Sequence, residues 1–186
     1  DHDLCSAAER DFLDLERLVF GSTDGSTLGI AATDDLFDPL TCIGGTIHTK
    51  GGTFEQTIDA RYPSSITGEE IARRVGGLAR EHGCELSVDL DMVPFSTDPN
   101  SAPIQALVAT YNEYAGRDAK PYTIGGGTYA RHFKVAGAFG PNDPTFPMPD
   151  WVGCEHSADE GFSEEQFKRA LEIYIVSLSR LMELEL

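Results

Sequence analysis

The sequence predicts a mixed α+β and α/β fold in two parts: an incomplete ferredoxin-like domain over residues 1–95 and part of an α/β domain over residues 96–186. Three observations lead to this prediction. Helical stripes and runs of β-forming residues follow one another in the first half. A run of turn formers separates the halves near residue 95, and a long helical stripe closes the second half.

Charge and length limit the classes of function. The chain of 186 residues has 31 acidic and 14 basic side chains, so its formal net charge is -17. This charge disfavours binding to nucleic acid and to anionic membranes, because their phosphates need cations to neutralise them. We see no apolar run of roughly 20 residues and no secretory leader, so we expect a soluble, cytoplasmic protein. The four scattered cysteines indicate free thiols rather than a zinc knuckle or a disulfide framework.

The first predicted elements are a helix and a β-hairpin. The helix is expected over residues 4–20 and ends at Gly21. Its apolar stripe consists of Leu4, Ala8, Phe12, Leu15 and Val19. β-forming residues at 41–48 and 53–62 flank Lys50-Gly-Gly, which predicts two antiparallel strands joined by a tight turn. In the second strand, alternation separates an apolar face from a polar face that includes Arg61. The apolar face consists of Phe54, Gln56, Ile58 and Ala60, and the other polar residues are Glu55, Thr57 and Asp59.

A second helix and a third strand complete this half. Thr67-Gly-Glu-Glu70 fits a capping box, and the helix that it begins is predicted to end at His82-Gly83. The apolar stripe of this helix consists of Ile71, Val75, Leu78 and Ala79. Residues 85–92 alternate in polarity, which predicts a strand. Its inward residues would be Leu86, Val88, Leu90 and Met92. The order helix, strand, strand, helix, strand is a ferredoxin-like unit that lacks its first strand.

The second half begins after the turn formers that follow Val93, where we place a domain boundary near residue 95. A helix is predicted from Pro103 to Gly116, followed by short strands at 121–124 and 135–139. A long closing helix is predicted from an apolar stripe that consists of Phe167, Leu171, Tyr174, Ile175, Leu178 and Met182. Because two short strands do not make a complete sheet, we expect an open sheet edge.

Two segments of the second half have the residue types of a binding site. Gly125-Gly-Gly-Thr128 joins a glycine triplet to a hydroxyl, and glycines let backbone N–H groups approach a ligand closely. His156, in Cys154-Glu-His-Ser-Ala-Asp-Glu160, offers a metal one ligand. A catalytic zinc usually needs about three protein ligands and a water, so the sequence predicts an incomplete metal site.

Four motifs occur in an order and at a spacing that point to one enzyme family. They are Asp59-Ala-Arg61-Tyr-Pro63, Gly125-Gly-Gly-Thr-Tyr-Ala-Arg131, Ala138-Phe-Gly140 and His156-Ser-Ala-Asp-Glu160. With them, from about Leu36 to its C-terminus, the chain resembles the last part of a PepV-type zinc dipeptidase. That enzyme belongs to a metallopeptidase superfamily with ArgE, DapE, the aminoacylases, carboxypeptidase G and carnosinase. The resemblance implies a catalytic domain with two metal ions, covered by a ferredoxin-like lid.

The resemblance assigns the binding of substrate to Arg61, Gly127 and Thr128. Arg61 would pair with the free C-terminal carboxylate of a dipeptide, for which its planar fork is suited. Gly127 and Thr128 would contact the same carboxylate through a backbone N–H and a hydroxyl. From the residues alone, two alternatives stay open. Arg61 would instead pair with Glu55 or Asp59 on its own strand face, and the glycines would only connect a strand to a helix.

The resemblance also makes His156 a metal ligand, and Glu160 would orient its imidazole from outside the metal's ligand shell. The implied metal is zinc, two ions in the intact enzyme, with manganese or cobalt as alternatives. A lone loop histidine is otherwise a solvent-exposed residue. Ser157-x-x-Glu160 and Ser163-x-x-Gln166 are moreover competing capping boxes for the last helix. We assign no catalytic role to Arg131 or His132.

Several motifs of the family are missing, so we expect a C-terminal fragment of a metal-dependent dipeptidase. The absent parts are the HxDxVP metal motif, the bridging aspartate, the paired glutamates and the lid histidine, which we expect before residue 1. The fragment alone should neither hydrolyse peptides nor bind metal tightly. Its expected partners are a dipeptide, the missing N-terminal part of the same protein and a second copy in a homodimer. Two other functions stay open: an N-deacylase or desuccinylase of the same superfamily, and a lid that serves association without catalysis.

Overall fold

The computed structural model describes residues 4–140, 143 and 145–184. The chain divides into two compact units, of which the first is Asp1–Phe95 with Thr123–Gly127 and the second is Ser96–Tyr122 with Thr128–Leu186. The segment Thr123–Gly127 therefore belongs with the first unit, although it follows Tyr122 along the chain. Each unit is described by itself below.

The first helix, α1, spans Ala7–Val19 and begins later than the sequence predicts. Ser6 is its N-cap: the Ser6 hydroxyl accepts from the Glu9 N–H at 3.3 Å, and the Glu9 carboxylate accepts from the Ser6 N–H at 2.6 Å. This reciprocal capping box satisfies two backbone donors and fixes the start of the helix. Leu4 thus lies outside α1 and is exposed, whereas Val19 is buried in the core.

The predicted hairpin is confirmed. Strand β1, Thr41–Lys50, pairs antiparallel with strand β2, Thr53–Arg61, and this sheet has two strands in the part of the chain that the structure describes. Gly51 and Gly52 both have positive φ, 60° and 83°, as a two-residue hairpin turn of type I′ requires. Ile58 and Ala60 pack against the core while Asp59 and Arg61 are exposed, so the predicted faces of β2 are also confirmed here.

The second helix, α2, spans Gly68–Glu81, and its predicted stripe packs against the core of the first unit. The Thr67 hydroxyl accepts from the Glu70 N–H at 3.2 Å, which is half of the predicted capping box. The Glu70 carboxylate instead pairs with Arg73 and Arg74, each at 2.6 Å. The core between α1, the hairpin and α2 consists of Val19, Leu28, Ile30, Leu40, Cys42, Ile66 and Val75.

The third strand predicted at residues 85–92 is wrong. These residues have no strand pairing in the structure, and all of them are exposed, including the four that were expected to face inward. Leu90, for example, is 71% exposed. Alternation marks a strand only where a neighbouring strand satisfies its backbone and a core covers one face, and the described residues supply neither here.

The second unit contains helices α3, Ala102–Ala115, and α4, Glu164–Met182, which pack against each other. Both helices were predicted, and α3 ends at Gly116, whose φ of 64° is left-handed as in many helix C-termini. Arg180 of α4 donates to the buried Thr110 of α3 at 3.0 Å and pairs with Glu113 at 2.7 Å.

The two short strands predicted at 121–124 and 135–139 are wrong, since neither segment is a strand in the structure. At 135–139, side chains supply some of the hydrogen bonds that a ladder would otherwise provide. Thr97 Oγ1 bonds to the backbone of Ala136, and the Tyr174 hydroxyl donates to the carbonyl of Phe139 at 2.8 Å. Backbone groups that are satisfied in this way need no partner strand.

The closing helix is confirmed, and most of the apolar residues that predict it lie on its exposed face. The buried residues of α4 are Gln166, Ala170, Ile173 and Ser177. Most of the predicted stripe is exposed, namely Phe167, Leu171, Ile175, Leu178 and Met182. Tyr174 is the exception, since it is half-buried and contacts Phe139 edge to face at 5.7 Å. The buried face thus combines polar, small and apolar side chains, which an apolar pattern alone does not reveal.

The structure is thus a mixed fold of four α-helices and one hairpin over the described residues. It does not confirm a specific ferredoxin-like lid, because the strand expected to complete that unit is not formed. None of the helices within residues 4–184, where described, combines the length and the apolar character needed to cross a membrane.

Neighbouring isoleucines of α4 test the orientation of this helix. Ile173 is 6% exposed and Ile175 is 61% exposed. We expect Ile173→Ala to lower the free energy of unfolding by about 2–5 kcal/mol, because it leaves a cavity in the packed face. The matched Ile175→Ala variant should change it by about 0.5 kcal/mol or less. Urea unfolding of both variants measures the difference, and equal losses would contradict the orientation.

Candidate functional site

Arg61 is the last residue of β2, where it lies opposite Thr41 and is exposed. Its guanidinium forms no ion pair and no hydrogen bond with any residue that the structure describes. The alternative in which Arg61 pairs with Glu55 or Asp59 is therefore not seen. The side chain is available to an external anion, and its binding of a substrate carboxylate stays a prediction.

The glycine segment, Thr123–Gly127, passes beside Arg61 within the first unit. A Cβ built on Gly125 would lie 3.7 Å from Cδ of Arg61, which is ordinary van der Waals contact. Gly125, Gly126 and Gly127 are all exposed. A cation therefore lies beside a backbone with no side chains to shield its N–H groups, and this combination suits a carboxylate.

Asp34 connects the chain around Arg61 to the loop that precedes β1. Its Oδ2 accepts from both the N–H and the hydroxyl of Ser64, at 2.7 and 2.6 Å. Its Oδ1 accepts from the N–H groups of Leu36 and Phe37, at 2.9 and 2.7 Å. One carboxylate thus closes a turn over residues 34–37 and fixes the position three residues after Arg61.

The same turn also holds the glycine segment. Thr123 Oγ1 donates to the carbonyl of Leu36 at 2.8 Å. The first unit therefore contains a continuous path of hydrogen bonds from Ser64, through Asp34 and the turn, to Thr123. Sequence reasoning missed Asp34 and Ser64, although an aspartate at the first position of a turn is a known local signal for a side chain that accepts from the backbone.

The hydrogen bonds keep Asp34 ionised. The Ser64 hydroxyl, followed by the Phe37 N–H, lowers the pKa of the Asp34 carboxyl from 3.8 to about 2. Hydrogen bonds that stabilise the charged form of an acid lower its pKa in this way. The carboxylate is consequently charged throughout the neutral range, where all four of its bonds are charge-assisted.

Thr128 lies in the second unit and caps a short 3-10 helix, Tyr129–His132. Its Oγ1 accepts from the Ala130 N–H at 3.3 Å. A hydroxyl has one donor hydrogen besides its lone pairs, so this cap leaves the O–H of Thr128 able to donate to an anion. The predicted role of Thr128 is chemically compatible with its place in the fold and stays a prediction.

His156 is exposed in a loop of the second unit that is held by its own hydrogen bonds. Its φ of 63° is left-handed, which is uncommon for a residue with a side chain. The His156 N–H donates to Glu160 Oε2 at 3.1 Å, and the Gly153 N–H donates to the carbonyl of Asp159 at 3.0 Å. Ser157 donates to the carbonyl of Cys154. The loop therefore presents the imidazole from a defined backbone.

The Glu160 carboxylate accepts from the backbone N–H of His156 rather than from its imidazole. The role of Glu160 as a partner of the imidazole stays a prediction. The choice between the two capping boxes falls on Ser163, whose hydroxyl accepts from the Gln166 N–H at 3.0 Å. The helix α4 accordingly begins after Ser163, and Glu160 belongs to the loop rather than to a helix cap.

The residues present do not by themselves fit a metal site. Across residues 4–184, where described, no three histidine, cysteine, aspartate or glutamate side chains come together as ligands of one ion. His156 offers a single nitrogen, and about three protein ligands are usual for a catalytic zinc. The four cysteines are free, and they are scattered between buried and exposed positions.

The chain is similar to staphylococcal proteins that carry the name "Putative dipeptidase". It is 31% identical over 169 residues to one from Staphylococcus saprophyticus, a match that covers 89% of this chain and 34% of the relative. It is 30% identical over 176 residues to one from Staphylococcus haemolyticus, covering 92% and 36%. The chain thus spans about a third of the length of the curated relatives that it matches. No family model matches the chain.

The free energy of unfolding at acidic pH tests the hydrogen bonds of Asp34. Because its folded pKa of about 2 is below its ordinary value of 3.8, its stabilising contribution is complete above 3.8 and is lost as the pH falls toward about 2. We expect Asp34→Asn to be less stable than the unsubstituted chain at pH 6, with a difference that shrinks between about pH 4 and pH 2.

Urea unfolding at a series of pH values measures this difference. Glu70, whose pKa the hydrogen bonds and charges of Arg73 and Arg74 also lower to about 2, titrates in the same window but is common to both proteins. Asp35→Asn removes an exposed charge next to Asp34 and serves as the control. A difference that does not depend on pH would contradict the assignment.

Proposed function

We propose that this chain is part of a metal-dependent dipeptidase in which Arg61 binds the free C-terminal carboxylate of a dipeptide. The observation that carries the proposal is the exposed Arg61 guanidinium, unpaired among the described residues, on a side chain whose stem lies beside Gly125. The names of the staphylococcal relatives support a dipeptidase-type hydrolase. Because the chain spans about a third of those relatives, the activity is proposed for the whole protein.

The charge of the chain makes the free guanidinium informative. There are 31 acidic and 14 basic side chains, so acidic partners are more numerous than the basic side chains that could pair with them. Arg61 nevertheless stays unpaired among the residues described. Its planar fork can form two parallel hydrogen bonds to a carboxylate, and this geometry recognises an amino acid or a peptide by its C-terminus.

Binding at the C-terminus also selects which bond is cleaved. A carboxylate fixed at Arg61 places the preceding peptide bond at one distance from it, so the last peptide bond of the substrate reaches the reacting groups, and in a dipeptide this is its single peptide bond. In this proposal, the glycine segment donates a backbone N–H group to the same carboxylate through Gly127. A further bond from the Thr128 hydroxyl is what the resemblance implies, and it stays a prediction.

Metal dependence is the further part of the proposal that rests on the resemblance. Zinc would be the metal, with manganese or cobalt as alternatives, and it would polarise the scissile carbonyl and activate a water. His156 would supply one ligand from its closed loop, and Glu160 would help to hold that loop. Since the described residues do not make a metal site, the other ligands would come from other parts of the whole protein, and this chain alone should be inactive. A ferredoxin-like lid and a location in the cytoplasm stay predictions.

An N-deacylase or desuccinylase would use the same recognition, because its substrates also end in a free carboxylate. The names of the relatives favour a dipeptidase over these enzymes. Arg61 by itself does not distinguish a dipeptidase from a deacylase. Binding of the carboxylate is therefore tested separately from the identity of the group that is cleaved. The non-catalytic association module, and a homodimer, likewise stay predictions.

Binding of glycylglycine, followed by NMR titration of the 186-residue chain, tests the proposal. We expect the Arg61 Nε–H and the Gly125 to Gly127 N–H signals to shift with glycylglycine and not with glycylglycine amide, which lacks the carboxylate. Arg61→Gln should weaken binding by about tenfold or more, because a hydrogen bond to a charged group is worth roughly 1.5–3 kcal/mol. Arg61→Lys should bind with intermediate affinity, since it keeps the charge and loses the fork.

The matched control is Arg80→Gln, which makes the same change in charge at an exposed position at the end of α2. It should leave binding unchanged. Equal shifts with the peptide and its amide, or an Arg61→Gln variant that binds glycylglycine as well as the unsubstituted chain, would overturn the proposal.

A further inference from the structure

We infer that Asp34 is a positioning residue, which holds Arg61 and the glycine segment together as one carboxylate-binding surface. The inference rests on the proposed function, because it concerns the same site. Nothing in the sequence motifs points to Asp34, which lies just before the region of resemblance. The argument depends on which hydrogen bonds hold each part of the surface in place within the first unit.

The first half of the argument concerns Arg61. Asp34 Oδ2 accepts two hydrogen bonds from Ser64, and Ser64 is only three residues after Arg61. Pro63, between them, is buried and has a fixed φ, so this short connection has few conformations. Fixing Ser64 therefore restricts where the chain leaves β2 and where the Arg61 side chain begins.

The second half concerns the glycine segment. In the part of the chain that the structure describes, the bond from Thr123 to the carbonyl of Leu36 is the one hydrogen bond recorded for Thr123–Gly127. Leu36 is held in turn by Asp34 Oδ1, which accepts from its N–H and from that of Phe37. A flexible glycine triplet with a single attachment depends strongly on that attachment, because glycine has the largest conformational freedom of any residue.

The carboxylate of Asp34 holds both parts of the surface. Oδ2 of Asp34 fixes the chain after Arg61, Oδ1 fixes the turn that Thr123 binds, and Gly125 lies beside the stem of Arg61, where an added Cβ would come within 3.7 Å of Cδ. Losing either oxygen as an acceptor would free one side of the surface while the other stays in place. Asp34 does not contact the substrate in this arrangement, so it acts through Arg61 and the glycine segment.

Asp34→Asn is the sharpest variant, since it keeps the size of the side chain. Asparagine offers one carbonyl oxygen and one NH2 group, so its NH2 must face either the donors of Ser64 or those of Leu36 and Phe37. If the NH2 faces Ser64, the bond from the Ser64 N–H is lost while the Ser64 hydroxyl can turn and accept instead; if it faces the turn, the bonds from both the Leu36 and the Phe37 N–H are lost. Asp35→Asn, in the same loop and with the same change in charge, is the matched control.

The first readout needs no ligand. We expect an NOE between the Cδ protons of Arg61 and the Cα protons of Gly125 in the unsubstituted chain and in Asp35→Asn. It should be lost in Asp34→Asn and in Thr123→Val, and kept in Thr123→Ser, which retains the hydroxyl. Cross-strand NOEs of β1 and β2 should persist in every variant, which separates a local release from unfolding.

The second readout is binding. Asp34→Asn and Thr123→Val should each weaken the binding of glycylglycine by about tenfold. The reason is that a displaced Arg61 or glycine segment would cost the peptide carboxylate about one hydrogen bond, and a bond to a charged group has roughly this value. Glycylglycine amide should shift no signals in any variant, and the cross-strand NOEs of β1 and β2 show whether a weaker binding of glycylglycine comes instead from a general loss of structure. Thr123→Ser should restore the affinity.

The outcomes separate this inference from the proposed function. If Asp34→Asn keeps both the NOE and the affinity while Arg61→Gln loses the affinity, the positioning role is overturned and the proposed function stands. If the unsubstituted chain binds no glycylglycine, the proposed function fails and the positioning role fails with it. Thr123→Val, at a half-buried surface position, keeps the test decisive if Asp34→Asn does not fold.

Discussion

The candidate site depends on the carboxylate of Asp34, which accepts four hydrogen bonds from three residues. This carboxylate joins the residues just after β2 to the turn that holds the glycine segment. Because these bonds go to an ionised acid, each is stronger than a bond between neutral groups. They also satisfy donors of loops that have no regular secondary structure. A single acceptor thereby fixes two segments that are far apart in the sequence.

Arg61 differs from several other arginines of this acidic chain in having no acidic partner among the described residues. In an acidic chain, several arginines of the described region pair with neighbouring acids, and the pairs are Arg73 and Arg74 with Glu70, Arg117 with Asp143, and Arg180 with Glu113. Arg61 does not pair in this way, although Asp59 lies on the same face of β2. An exposed, unpaired cation costs the fold little, because surface ion pairs contribute at most about 1 kcal/mol. The positive charge of Arg61 stays exposed to solvent, as the proposed binding of a carboxylate requires.

The sequence predicts local structure here and fails where structure depends on distant partners. The four helices and the hairpin follow from stripes, caps and Gly51-Gly52, which act over a few residues. The strand at 85–92 was wrong because a strand needs a neighbour that the described residues do not supply. The apolar residues of α4 predict the helix but not its buried face, because an apolar pattern does not say which face a neighbour covers. Arg61 and His156 could be singled out by motif, but Asp34 could not, since its bond to Ser64 spans 30 residues.

A crystal structure of the 186-residue chain with glycylglycine bound would test the central claim most directly. The account predicts that both oxygens of the peptide carboxylate lie within about 2.7–3.0 Å of the Arg61 guanidinium nitrogens or of N–H groups in the glycine segment. It also predicts that Asp34 keeps its bonds to Ser64 in that complex. A peptide bound elsewhere, or Arg61 paired with an acidic side chain of its own chain and turned away from Gly125, would contradict the account.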